Sequence, residues 1–90
     1  MKLRDGFVVR EVGGKSYAVA TGTSAKYFKG MLTLNEMGVF MFDLLKKDTT
    51  EDKIVDAILA KYEVEKSVVE KDVSEFIDKL REINILEEDA

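Results

Sequence analysis

The sequence predicts an α+β fold in which strands come first and helices follow, and three observations carry that expectation. A Gly13-Gly14 dipeptide separates two strand-like runs, a third short run ends at Leu34, and from Glu36 onward the apolar residues take helical spacing. No Pro, repeat or low-complexity linker interrupts the chain, so its 90 residues are expected to form one domain, 1–90, with a single modest core.

The first two strands are expected over about 7–12 and 15–21, Phe7 to Val12 and Lys15 to Thr21. Two Gly residues readily supply the positive φ angles of a two-residue hairpin turn between them. Residues 22 to 29 read as a polar loop whose aromatic pair, Tyr27-Phe28, is placed to cover an exposed side of the core. The third strand is expected over about 30–34. Met31 and Thr33 alternate there with Leu32 and Leu34, so if Leu34 points into the core, Met31 and Thr33 point away.

Asn35 suits an N-cap, with Glu36 at the positive end of the helix dipole. A first helix, about 36–46, carries Met37, Phe40, Met41, Leu44 and Leu45 at offsets 0, 3, 4, 7 and 8 as its apolar face. Thr49 or Thr50 caps a second helix, about 50–62, with its stripe on Ile54, Val55, Ile58, Leu59 and Tyr62. A third, about 66–83, buries Val69, Val73, Phe76, Ile77, Leu80 and Ile83. Ser67 and Glu70 have the spacing of a capping box for it, although Glu65 offers an earlier start. Asn84 suits a left-handed stop, after which Ile85-Leu86 folds back onto the core before an acidic tail.

Helices this short need one another, so the second and third are expected to pair in helix-turn-helix fashion against the first, with the sheet beside them. The architecture is therefore winged helix-turn-helix-like, a three-stranded antiparallel sheet followed by a three-helix bundle. A winged-helix DNA-binding regulator is the alternative function this raises. Charge opposes it, because residues 67–83 hold five Asp or Glu against three Lys or Arg, where a reading helix needs cations. The basic residues gather instead in the first third. Residues 1–30 carry six Lys or Arg against two Asp or Glu, whereas residues 65–90 carry four against nine. Arg4, Arg10, Lys15, Lys26 and Lys29 of that first third are the groups left to touch a phosphate backbone.

Composition excludes most enzyme chemistry. Neither Cys nor His occurs, which removes thiolate nucleophiles, imidazole bases and the usual zinc, haem and iron–sulfur ligands. The 18 Asp and Glu residues fall mostly on expected solvent faces. No catalytic residue, metal site or cofactor is expected. The opening residues lack the apolar run of a secretory signal and nothing approaches a membrane span, so a cytoplasmic protein is expected.

The functional candidate is the third strand. A strand so short, set between a loop and a helix, need not be paired on both sides, and its unpaired N–H and C=O groups form a template for another chain. Pairing with its own copy would give a weak homodimer; otherwise a monomer is expected.

The pattern as a whole resembles the PqqD-like family. The residues that carry the resemblance are the Gly-Gly hairpin, Leu34-Asn35 with Gly38 one turn on, Leu44-Leu45, Thr49-Thr50, Ile54-Val55, Ile58, Tyr62, Val64, Asp72-Val73, Phe76-Ile77, Leu80 and Ile85-Leu86. The family comprises peptide chaperones of pyrroloquinoline quinone biosynthesis and, more widely, recognition elements for ribosomally synthesised, post-translationally modified peptides. The resemblance implies a non-catalytic module that captures the leader segment of a precursor peptide and presents it to a separate modifying enzyme, often a radical S-adenosylmethionine enzyme. It also implies that the leader adds as a strand on the third strand, beside the third helix. The strand residues would be Met31, Leu32, Thr33 and Leu34. The helix wall would be drawn from Val69, Asp72, Val73, Phe76 and Lys79, with the two charged residues at its rim.

Overall fold

The computed structural model describes residues 1–22 and 30–88. Its elements run β1 (Lys2–Leu3), β2 (Phe7–Val12), β3 (Lys15–Ala20), β4 (Met31–Leu34), α1 (Glu36–Leu44), α2 (Glu51–Lys61), α3 (Lys66–Glu82) and β5 (Leu86–Glu87). The expected α+β architecture is present: an antiparallel sheet ordered β2-β3-β4 leads into three helices. The pair Tyr27-Phe28 and the cations Lys26 and Lys29 lie outside the described residues.

The hairpin turns on Gly13 (φ 59°) and Gly14 (φ 80°), the left-handed backbone a two-residue turn of this kind requires. Val12 faces Lys15, and the register continues to Phe7 opposite Ala20. On the other side of β3, Ser16 faces Leu34 and Val19 faces Met31. One face of the sheet is apolar and covered: Phe7, Ala18 and Leu34 are buried, and Val9, Ala20 and Leu32 pack at the margin.

At the helix ends, side chains satisfy backbone donors that have no partner inside the helix. The Asn35 Oδ1 accepts from the Gly38 N–H at 2.7 Å, and the Thr50 hydroxyl accepts from the Lys53 N–H at 3.2 Å. Thr50, not Thr49, is therefore the cap of α2. The capping box expected from Ser67 and Glu70 does not form: α3 starts at Lys66 after Glu65, whose side chain makes no capping bond. The earlier start adds two residues to the helix, which the Ser67 spacing by itself cannot weigh.

The inward face of α1 also differs from the expected one. Gly38, Met41 and Phe42, followed by Leu45 at its C-cap, are buried, while Met37, Phe40 and Leu44 sit at the margin. With seven apolar side chains among residues 37–45, periodicity does not single out one face. The deciding residue is the one without a side chain. A Cβ on Gly38 would lie 3.3 Å from both Leu34 Cδ2 and Asn35 Oδ1, so the missing atom lets α1 lie close against the end of β4. Of their expected stripes, α2 buries Ile54, Val55 and Ile58 and α3 buries Val69, Val73, Ile77 and Leu80, while Leu59, Tyr62, Phe76 and Ile83 reach only the margin of the core.

The sequence reading has no counterpart for β1 and β5, which pair antiparallel with Lys2 opposite Glu87 and Leu3 opposite Leu86. Two residues apiece carry no alternation to read, and what places them is tertiary. The Leu3 N–H donates to the Leu45 carbonyl at 2.8 Å and the Arg4 N–H to the Ile85 carbonyl at 3.0 Å. Asn84 takes the expected left-handed turn (φ 62°). Its carbonyl and side-chain oxygen accept from the Arg4 guanidinium at 2.9 and 3.0 Å, fastening the return of the chain after α3.

Candidate functional site

The register of the sheet determines which backbone groups of β4 are spent. In a two-residue hairpin the pair that closes the turn exchanges both of its hydrogen bonds, and bonded pairs then alternate with unbonded ones. Val12–Lys15, Arg10–Tyr17 and Val8–Val19 are thus the bonded pairs between β2 and β3. The bond from the Thr21 N–H to the Gly6 carbonyl, 2.7 Å, falls where this alternation puts it. Ser16 and Ala18 must therefore turn their N–H and C=O groups toward β4, where Leu34 and Leu32 stand opposite them. Met31 and Thr33 direct theirs the other way. Among the described residues no strand lies on that side of β4.

The side chains of the strand follow the same alternation. Met31 is 57% exposed and Thr33 is exposed, whereas Leu34 is buried at 6% and Leu32 is half-buried at the core margin. Of the helix residues, Val69 and Val73 belong to the buried core and Phe76 packs at its margin. Asp72 and Lys79 are exposed. Asp72, Phe76 and Lys79, spaced by four and three, share one line along α3, and among the described residues neither charged one has an ion-pair partner. The structure thus joins Leu34, Val69 and Val73 in one core with Leu32 and Phe76 at its edge. The main neighbours of β4 are β3 and α1, while α3 packs chiefly on α2.

Sequence reasoning did not anticipate a cleft of about 770 Å³ at the hairpin end of the sheet. Its floor and walls include Val9, Leu34, Val39, Phe40 and Tyr62, and none of its lining residues belongs to α3. The Phe40 and Tyr62 rings meet edge to face, centroids 5.7 Å apart, and the Lys61 ammonium lies 4.6 Å from the Phe40 centroid. A signal existed in the small Ser16, which occupies an inward position of β3 where a larger apolar residue would have filled the space.

None of the groups with shifted titration belongs to β4 or lines the cleft. A hydrogen bond from the Met1 α-amino group holds Asp48 below its usual value, and one from Arg81 does the same for Glu88. Among the described residues no group of His, Cys, Asp or Glu is arranged to hold a metal ion.

Residues 17–86 match the family model described as coenzyme PQQ synthesis protein D. The chain belongs to the PqqD family. Among solved structures it is similar to TbiB1 in complex with the TbiA(beta) leader peptide, at 28% identity over 100% of this chain and 99% of that one, with a TM-score of 0.74. A lasso peptide synthetase B1 complexed with its leader peptide shares the fold at 19% identity, with 93% of each chain covered and a TM-score of 0.68. No curated protein matches the chain.

Proposed function

We propose that this PqqD-family chain binds the leader segment of a ribosomally made precursor peptide by strand addition to β4 and presents it to a separate modifying enzyme of the radical S-adenosylmethionine class. The observation that carries the reading is the flank of β4 that no other strand among the described residues pairs, where Met31 and Thr33 offer two N–H donors and two C=O acceptors. The likeness to TbiB1, solved with a leader peptide, supports it.

In this reading the main-chain groups of Met31 and Thr33 grip any extended backbone, at about 1 kcal/mol net per bond. Selection comes from side chains. Leu32 and Phe76 contact an apolar leader residue, Leu34, Val69 and Val73 hold that contact surface rigid from beneath, and Asp72 and Lys79 set the charge preference at its rim. Burying one such leader side chain adds about 2 kcal/mol, so with four backbone bonds the gain is about 6 kcal/mol before the cost of ordering a flexible peptide, which places binding by these contacts at about tens of micromolar or weaker. The chain performs no bond-making itself. Without His or Cys, its part is to raise the local concentration of the precursor at its partner.

The test is a titration of isotope-labelled protein with its cognate leader peptide. Amide shifts concentrated between Lys29 and Asn35 are the expected result; saturable binding that leaves those amides unmoved removes the site.

A further inference from the structure

The cleft at the hairpin end of the sheet and the vacant flank of β4 share a residue. Thr33, whose N–H and C=O face the flank, also lines the cleft, as do Leu34 and the first residues after the strand, Asn35 and Glu36. A peptide laid along β4 and continuing past Leu34 therefore arrives at the cleft mouth with its next residues. The volume, about 770 Å³, lies within the usual range of ligand sites.

The walls state what fits. On the sheet side stand Val9, Ser16 and Leu34; on the helix side stand Val39, Phe40 and Tyr62. Glu36, Val39, Phe40 and Asp43 follow one another at spacings of three, one and three, so α1 presents a single stripe to the space. Two cations at the rim are already engaged. Lys46 pairs with Asp43 at 3.2 Å, and Lys61 lies over the Phe40 ring. Lys15, at the hairpin tip, has no ion-pair partner among the described residues. The cleft thus combines an apolar interior with two ammonium groups that no carboxylate pairs among the described residues, Lys61 held over the Phe40 ring and Lys15 without such a contact.

We propose that this cleft is a second specificity site for the precursor, receiving one bulky aliphatic or aromatic side chain from the leader segment that runs beyond the Leu34 end of β4, with an acidic neighbour placed against Lys15. The site rests on the strand-addition reading, since it takes a side chain from the same bound peptide. Such a site would let a strand of only four residues discriminate among leaders. The edge reads backbone, and a pocket beyond its end reads one side chain.

The test uses a random library of 16-residue peptides displayed on phage and selected on the whole protein. Each recovered peptide is measured against wild type, Thr33→Pro, Val39→Trp and Ser16→Phe, with thermal melts confirming that each variant is folded; the last two fill the cleft from opposite walls. The expected result is peptides that carry a bulky apolar residue outside the strand segment. Its replacement by Ala weakens binding to wild type about tenfold or more and makes less than a twofold difference on a cleft-filled variant, because the two changes remove the same contact. Peptides that lose binding with Thr33→Pro but ignore both cleft-filled variants overturn the cleft and leave the strand reading standing. Peptides indifferent to Thr33→Pro overturn the strand reading and this inference with it, as does a selection that recovers no peptide.

Discussion

Asn35 performs two tasks with one side chain. It caps α1 by accepting from the Gly38 N–H, and it ends β4 one residue after the last sheet bond. Asn35→Ala removes the cap and is expected to lower stability by about 1 kcal/mol in a denaturant titration. Both parts were legible in the sequence, since Asn before Glu marks a helix start and Gly38 stands one turn on. The close approach of Gly38 to Leu34 was not, because a missing Cβ has meaning only against a neighbour that the fold supplies. Charge at the chain ends carries a small pH signature. The folded pKa values of Asp48 and Glu88 lie below the ordinary 3.8 and 4.5. Their contribution is therefore complete above those values and is lost as pH falls through the lower folded ones. Both groups are solvent-exposed, so the effect is small. The melting-temperature gap between wild type and Asp48→Asn/Glu88→Gln should stay constant above about pH 5 and narrow toward zero on further acidification.

Among the elements, β4 has two unlike sides, and a pair of proline substitutions separates them. Thr33 has its N–H on the vacant flank, so Thr33→Pro deletes a donor meant for a guest while sparing the bonds to β3. Leu32 has its N–H in the ladder, so Leu32→Pro breaks the sheet itself. Thr33→Pro is expected to melt within a few degrees of wild type and to lose leader affinity about tenfold, whereas Leu32→Pro should lose several degrees of stability. Calorimetry and anisotropy on the two variants check this. The hairpin and the alternation of β4 could be read directly, because Gly-Gly turns and period-two patterns are local signals. The face of α1 could not, its apolar residues being spread nearly all round. The β1–β5 pair could not either: Leu3 and Arg4 donate their N–H groups to the carbonyls of Leu45 and Ile85, which lie far away in sequence. The false capping box at Ser67 is the reverse case, a correct local pattern outweighed by a longer helix.

For the molecule as a whole, the helix-turn-helix outline does not carry a helix-turn-helix charge. The third helix carries five Asp or Glu against four Lys or Arg, and the chain's net positive charge lies in its first 30 residues. A phosphate backbone gains little from such a surface, while an extended peptide needs only an open edge and an apolar contact. Of the candidate site, the strand residues were readable because edge exposure follows from chain order. The Val39, Phe40 and Tyr62 walls were not, since they arise where α1, α2 and the hairpin tip meet.

Amide hydrogen exchange on the free protein and on its complex with a leader peptide tests the account most directly. In the free protein Leu32 and Leu34 should exchange slowly and Met31 and Thr33 fast; on binding, the latter two should slow by about tenfold or more, joining the ladder. A leader that binds while Met31 and Thr33 continue to exchange at their free rates would contradict it.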